Sequence, residues 1–382
     1  MMRLKKITLL FLTWRTFLFL PFYVGSLLIP YRVGQEFTRI WYWAGMDKPV
    51  SSIFLFPWAN FDGVHYLNIA GNGYTANARF FPLFPLIAGF ISRMMGAQKA
   101  FDLTYFLTSL ILSNLFLLIS LWVLYALVRK DYPKSIAWWT CIFLLLFPAS
   151  FFFASIYSES LFLLLSLLCF YFARKKQWIV SNLFASCLVL TRLVGICIIP
   201  ALIYEFITQD KKNRLKKSYS FLLPVLVFMG YLWFNYLNWG NALHFLYSQG
   251  ELNNGRSTAS LVLFPQTMVR YVKIFVTVSP RIYEWWIALV EFVSFLFAGS
   301  MVYIAWKKNI RFSYILYSAF CILIPASSGT FSGLPRYVAI LFPLYLAITL
   351  GKNTGMKLLY GVVSGILLFV LLMVFSRGYY VS

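Results

Sequence analysis

Long apolar blocks separated by short basic clusters constrain this chain more than any other feature of it. Candidate membrane-crossing segments fall at about 7–29, 103–128, 135–154, 157–173, 219–238, 284–305, 312–325, 336–350 and 357–375. A helix crosses a bilayer with about 20 mainly apolar residues, so most of these blocks are long enough or nearly so. The 382 residues are 61% hydrophobic and only 12% charged, whereas a soluble domain has about a quarter of its residues charged. One core could not hide that excess while still covering its surface with something wet. Lipid is therefore the solvent for most of the chain, and the expected fold is all-α, a polytopic transmembrane helical bundle.

The formal charge of +22 would point to nucleic acid in a soluble protein. Here the cations sit between the apolar blocks, at Arg129, Lys130 and Lys134, at Arg174, Lys175 and Lys176, at Lys211 through Lys217, and at Lys307, Lys308 and Arg311. Such clusters mark loops on the cytoplasmic side, and nucleic-acid binding is excluded as a reading. The five cysteines (Cys141, Cys169, Cys187, Cys197 and Cys321) all lie inside apolar blocks without CxxC spacing. They read as small buried hydrophobes. The N-terminal Arg3, Lys5 and Lys6 precede an apolar run with no clear small-residue cleavage site, which predicts an uncleaved first span.

Two stretches depart from simple crossing. Residues 80–95 are short and contain Pro82 and Pro85, and residues 178–207 are interrupted by Thr191-Arg192. With Arg3, Lys5 and Lys6 inside, a full crossing by 80–95 would place both Arg129–Lys134 and Arg174–Lys176 outside, against the charge rule. A partial helix dipping in from outside, and a hairpin entering from inside and turning near Arg192, return every basic cluster to the cytoplasm. Re-entrant backbone of this kind is tolerated where protein packs around it. The expectation is about nine full spans plus the partial helix and the hairpin, in a single domain over 1–382 with outer loops at about 30–79 and 239–283. The segment 261–276 is expected to lie along the interface, and Arg93 is left stranded on the outer side.

Three polar constellations then stand out. Asp62 and His65, three apart, share one face of a helical turn, within a run that also holds Phe61, Tyr66, Asn68 and Tyr74. Asp62 could equally serve as a helix N-cap. Glu159 follows Tyr157-Ser158 at the junction of two apolar blocks, where an ionisable group suggests function and where a helix N-terminus would also favour it. Arg192 and Arg336 (the latter followed by Tyr337) sit in apolar settings. A guanidinium fork there matches phosphate oxygens, although snorkelling to head groups is the plainer account. Two outer-face carboxylates and one or two arginines on a membrane scaffold suit transfer from a phosphate-linked lipid donor to a hydroxyl. One carboxylate would act as general base, and arginines or a divalent cation would stabilise the departing phosphate. The identity of any metal is left open.

At these same residues the chain resembles the PIG-V mannosyltransferases, which add the second mannose in glycosylphosphatidylinositol synthesis, and their prokaryotic relatives. The family pattern Trp-Asp-x-x-His is met by Phe61-Asp62-Gly63-Val64-His65, with phenylalanine in place of tryptophan. Ile69-Ala70-Gly71-Asn72-Gly73-Tyr74 and Phe80-Phe81-Pro82-Leu83-Phe84-Pro85 follow in order, then Pro148-Ala149 with Tyr157-Ser158-Glu159-Ser160-Leu161-Phe162, Arg192-Leu193-Val194-Gly195, and Arg336-Tyr337 before Phe342-Pro343. The resemblance implies the C-type glycosyltransferase (GT-C) fold with its catalytic acid in the first outer loop. It also implies an inverting reaction using a polyprenyl-phosphate sugar, usually mannose. The acceptor implied is a glycolipid or surface glycan at a prokaryotic plasma membrane. Phe61, Tyr66, Asn68, Tyr74, Tyr157 and Tyr337 become expected substrate contacts, with Asp62, His65 and Glu159 catalytic and Arg336 and Arg192 at the donor phosphate. A GT-C enzyme for another sugar is a rival reading, as is a transporter of lipid-linked sugars. The transporter would be expected to show paired broken helices, and only one appears, at Arg192.

The threading is testable with an impermeant thiol reagent after the five native cysteines are replaced. Probes at 45, 158 and 330 should react from outside, and probes at 131, 176 and 213 should be protected. A reactive 176 beside a protected 158 would contradict the threading.

Overall fold

The computed structural model describes residues 2–32, 52–74, 78–209, 217–248 and 262–381. Labelling positions 45 and 213, Lys211 through Lys216, and parts of both expected outer loops lie outside the described residues. All regular elements among the described residues are helical, apart from one isolated bridge between Val262 and Ser328.

Helices form where the apolar blocks predict them. The first block gives α1 (Met2–Phe17) and α2 (Phe19–Leu28). Later come α3 (Asp62–Asn72), α4 (Leu83–Met94), α5 (Leu103–Val128), α6 (Lys134–Leu146), α7 (Glu159–Ala173), α8 (Trp178–Val189) and α9 (Ile198–Gln209). They are followed by α10 (Leu222–Trp239), α11 (Phe264–Thr277), α12 (Tyr283–Lys307), α13 (Phe312–Ala326), α14 (Leu334–Ala339), α15 (Phe342–Thr349) and α16 (Thr354–Ser376). Five helical segments are long and apolar enough to cross a membrane: Leu4–Leu28, Leu103–Val128, Tyr219–Trp239, Tyr283–Lys307 and Thr354–Ser376. The remaining apolar helices, including α4, α6, α7 and α13, are shorter.

The two irregular stretches take the forms their prolines and polar residues dictate. Residues 80–95 yield only the 12-residue α4, about 18 Å long at 1.5 Å per residue and too short for the hydrocarbon core. The 178–207 stretch breaks after Val189 and resumes as a 3-10 turn, Leu193–Cys197, before α9, so the interruption falls at Thr191-Arg192. The expected span 336–350 differs. It is two short helices, α14 and α15, with Pro343 opening the second, and nearly every residue from Leu334 to Ala347 is buried. Protein, not lipid, surrounds that segment.

By internal contacts the chain divides into two compact units. The first contains residues 1–77, 82–164 and 351–381, and the second contains 78–81 and 165–350. In the first, small residues let helices meet backbone to backbone. A Cβ on Gly89 of α4 would lie 2.3 Å from the carbonyl oxygen of Ala70 in α3, and one on Gly71 would lie 2.1 Å from Cα of Ala100. Arg93, stranded in the sequence reading, has a structural partner: its Nη1 donates to the Ala70 carbonyl at 3.0 Å. A cation near the C-terminal end of α3 also complements that helix's dipole. In the second unit, Glu205 is buried and accepts from Arg311 at 3.1 Å and from the Ser313 hydroxyl at 2.6 Å, with Arg174 3.8 Å away. The amphipathic α11, expected from residues 261–276, begins at Phe264.

All five cysteines are free, and all but Cys187 are fully buried. Ser158 is completely buried as well, so a probe there would report burial and not sidedness. Positions 131 and 176 are exposed and carry the topology test.

Candidate active site

The acidic part of the site is built in the first unit from two corners of irregular backbone. The first runs through the 3-10 turn Phe56–Ala59 into α3, and the second from the end of α6 through the 3-10 turn Ser150–Ala154 into α7. They are stitched together directly. The Ile156 amide donates to the Trp58 carbonyl at 2.8 Å, and the Tyr157 hydroxyl donates to the Asn60 carbonyl at 2.7 Å. The Tyr66 and Ser158 hydroxyls share a hydrogen bond of 2.9 Å. Gly63 permits the approach, since a Cβ there would sit 3.1 Å from Ala59 Cβ and 3.3 Å from the Ile156 carbonyl oxygen.

Between the corners stands a strained residue. Phe61 precedes α3 with φ 59° and ψ −113°, a region that costs a non-glycine residue about 1–3 kcal/mol. Its ring is held by Phe375 at 5.7 Å and Tyr380 at 5.5 Å, centroid to centroid. Phe151 and Phe152 pack on the same Phe375 ring. Asn60 adds a bond from its Nδ2 to the Phe375 carbonyl at 3.0 Å. The strain is thus fixed by packing on both sides, and it turns the chain sharply into Asp62.

Asp62 opens α3 and is half-buried, as is His65 one turn later. Glu159 opens α7 and is fully buried. Each carboxylate therefore lies at a helix N-terminus, where the backbone dipole favours negative charge. Tyr66 and Tyr157, expected as substrate contacts, are buried with their hydroxyls engaged inside the protein, which gives them a supporting place. Asn68 lies six residues beyond Asp62, about 9 Å along the helix, and accepts from Asn72 at 2.8 Å. Tyr74 is partly exposed, past the end of α3. Among the described residues, no group of three or more His, Cys, Asp and Glu is placed to hold a metal ion.

The arginines belong to the second unit. The Arg192 guanidinium lies over the Tyr337 ring, 4.6 Å from its centroid, so the break between α8 and the following turn meets the Arg336-Tyr337 pair of α14. Gly195, two residues into that turn, could not be larger, because a Cβ would fall 2.4 Å from the Leu188 carbonyl oxygen. Arg336 is buried, 8% exposed. The loop leading to it is clamped by α11, which sequence reasoning passed over as an interfacial helix. Thr267 donates to the Ala326 carbonyl at 2.9 Å, Arg270 to the Gly329 carbonyl at 2.9 Å, and the Phe331 amide to the Tyr271 oxygen at 3.0 Å. The Tyr271 hydroxyl donates to Glu291 at 2.5 Å. Burial, with the Glu291 carboxylate beside it, holds the Tyr271 phenol well above its ordinary range, so the clamp keeps its proton at any ordinary pH.

The family model for mannosyltransferase (PIG-V) matches residues 4–238, more than half of the chain and including Asp62, His65, Glu159 and Arg192. The chain belongs to that family. It is accordingly a glycosyltransferase, and its apolar helices make it a membrane one. Arg336 and Tyr337 lie beyond the matched residues, so their place in this PIG-V member rests on the second unit's geometry. Among curated proteins none matches the chain significantly. Among solved structures, the apo oligosaccharyltransferase of Archaeoglobus fulgidus is similar, with a TM-score of 0.47 and 12% identity over 87% of this chain and 54% of that one. The chain thus spans about half the length of that protein.

The stitch between the corners should be measurable. Tyr157→Phe removes the bond to Asn60 and leaves a buried carbonyl short of a donor, a loss of about 1–3 kcal/mol. Thermal unfolding in detergent should register it, and an unchanged midpoint would show that the contact contributes nothing.

Proposed function

We propose that this protein transfers mannose from a polyprenyl-phosphate donor to a hydroxyl of a glycolipid or surface glycan at the outer face of a membrane. The single observation that carries the proposal is the half-buried Asp62 at the head of α3, aimed by a strained Phe61 and stitched to the segment that bears Glu159. Asp62 retains access to solvent and so to an acceptor, and it serves as general base on the acceptor hydroxyl. His65 borders it on the same helix face. Glu159, entirely buried, contributes negative charge and shape and does not take the acceptor proton itself. Arg336 and Arg192 neutralise the donor phosphate as it departs, an electrostatic role that works best where water is excluded.

The basic clusters favour the outer face, because they assign the opposite ends of the helices to the cytoplasm. Family membership favours an enzyme over a transporter of lipid-linked sugars, and the choice of mannose over another sugar rests on it as well. The compact chain, with its short loops, fits a prokaryotic plasma membrane.

Transfer from radiolabelled polyprenyl-phosphate mannose into the lipid extract of the source organism tests the reaction. Asp62→Asn preserves shape while removing basicity, and turnover should fall by about two to four orders of magnitude. Near-wild-type turnover in that variant would remove Asp62 from the role.

Donor binding tests the arginines separately. Arg336→Lys and Arg192→Lys keep the charge and lose the two-pronged fork, so affinity for polyprenyl-phosphate mannose should weaken about ten-fold in at least one of them, equivalent to 1.4 kcal/mol. Unchanged affinity in both would place the phosphate elsewhere.

A further inference from the structure

Arg15 is a cation within the first membrane span, eleven residues beyond Leu4 and thirteen before Leu28. A charge there is costly, and such residues usually mark function. Among the described residues its one hydrogen-bond partner is Asn114 of α5, whose Oδ1 accepts from Nε at 2.9 Å. Its Nη1 is buried with no hydrogen-bond partner. Aromatic faces hold the remaining charge. The guanidinium carbon lies 4.1 Å from the Trp58 ring centroid and 4.8 Å from that of Phe19, and Phe22 packs against the same Trp58 at 4.6 Å.

Both partners lead to the acidic site. Trp58 stands four residues before Asp62, and its carbonyl receives the Ile156 amide. Asn114 donates from Nδ2 to the Leu110 carbonyl at 2.7 Å and to the Ala154 carbonyl at 3.3 Å, and Ala154 stands five residues before Glu159. One side chain therefore touches the Asp62 corner through a ring and reaches the Glu159 corner through an amide. A methionine would fill the same space without desolvation cost, yet could make neither contact.

We infer that Arg15 is a positioning residue of the transferase, an intramembrane clip that sets the Asp62 corner and the Glu159 corner in register through Trp58 and Asn114. The inference rests on the assignment of those two acids to the reaction. A snorkelling arginine would need only water or head groups at its tip, and its removal would leave the register of the corners unchanged.

Three variants of the full-length purified protein separate these cases. Arg15→Met removes both contacts, and Arg15→Lys keeps charge without the planar stack. Asn114→Asp keeps the acceptor for Arg15 and adds a countercharge, but loses the donor to Leu110 and Ala154. A positioning role requires turnover to fall in Asn114→Asp even though its carboxylate keeps the contact with Arg15. With polyprenyl-phosphate mannose as donor, kcat should drop at least ten-fold in Arg15→Met and Asn114→Asp with donor KM within two-fold of wild type. Arg15→Lys should lie between them and wild type. Hydrogen exchange at the Ile156 amide should quicken at least ten-fold in Arg15→Met, with exchange in Phe312–Ala326 unchanged. Unaltered exchange at Ile156, general quickening, or faster local exchange with kcat within two-fold of wild type would each overturn the proposal. Should Asp62→Asn retain turnover, the acid assignment fails on its own, and the exchange result still decides whether the clip exists.

Discussion

Backbone N–H and C=O groups in a bilayer cannot turn to water, so any departure from the helix must be wrapped in protein. This molecule departs from the helix at the places where the proposed site residues sit. The stretch from Ser150 to Ser160 is wholly buried, and its non-helical groups find internal partners. The Ser150 hydroxyl donates to the Leu145 carbonyl at 2.6 Å, and the Ser155 and Ile156 amides reach Phe152 and Trp58. The serine-rich run Tyr157-Ser158-Glu159-Ser160, read as a motif, is equally a supply of short donors and acceptors for a corner that lipid would otherwise forbid. Around Arg192 and before Arg336 the same rule holds, with α11 supplying side-chain donors to the loop carbonyls.

Much of this was legible because hydropathy and helix length are coupled so tightly in lipid. Block boundaries predicted α5, α12, α13 and α16 to within a few residues, and the Thr191-Arg192 interruption marked a real break. The motifs brought Asp62 and Glu159 forward as candidates. Segment 336–350 misled because hydropathy cannot distinguish a helix facing lipid from one buried in protein, and Pro343 divides it. The motif groups Tyr66 and Tyr157 with Asp62 and Glu159, but it does not encode that both rings are buried with their hydroxyls hydrogen-bonded inside the protein. Arg15 went unremarked inside an apolar block, although a single cation within a span is itself a signal. Its partner Asn114 lies 99 residues away, a pairing no local pattern encodes.

The strain at Phe61 links the packing to the chemistry. A backbone region costing about 1–3 kcal/mol persists only where surroundings over-determine it, and here Asn60 and the rings of Phe375 and Tyr380 do so from the last helix of the chain. The aromatic residue at this position therefore serves as a wedge. Phenylalanine here, in place of the tryptophan of the Trp-Asp-x-x-His pattern that the chain resembles, changes the size of the wedge and not its principle. A ring at 61 lets residue 62 turn out of the corner and begin a helix, which leaves its carboxylate half-buried at a positive helix end instead of sealed beneath the corner.

The cations show two ways of keeping charge inside such a protein, and the difference bears on where reaction can occur. Arg311 and Arg174 approach the buried Glu205, whose carboxylate also accepts from Ser313 and Gln209. There the carboxylate offsets part of the positive charge and joins α9 to its neighbours. Arg15 instead lies against ring faces, at 4.1 Å from Trp58 and 4.8 Å from Phe19. An aromatic quadrupole stabilises a cation but carries no net charge, so positive potential persists around the guanidinium in a medium that screens it weakly. A carboxylate partner would have cancelled that potential, and with it the attraction for a second anion. A ring-supported arginine such as Arg15 is thus suited to holding neutral groups in place without competing for the acids proposed to act in the reaction.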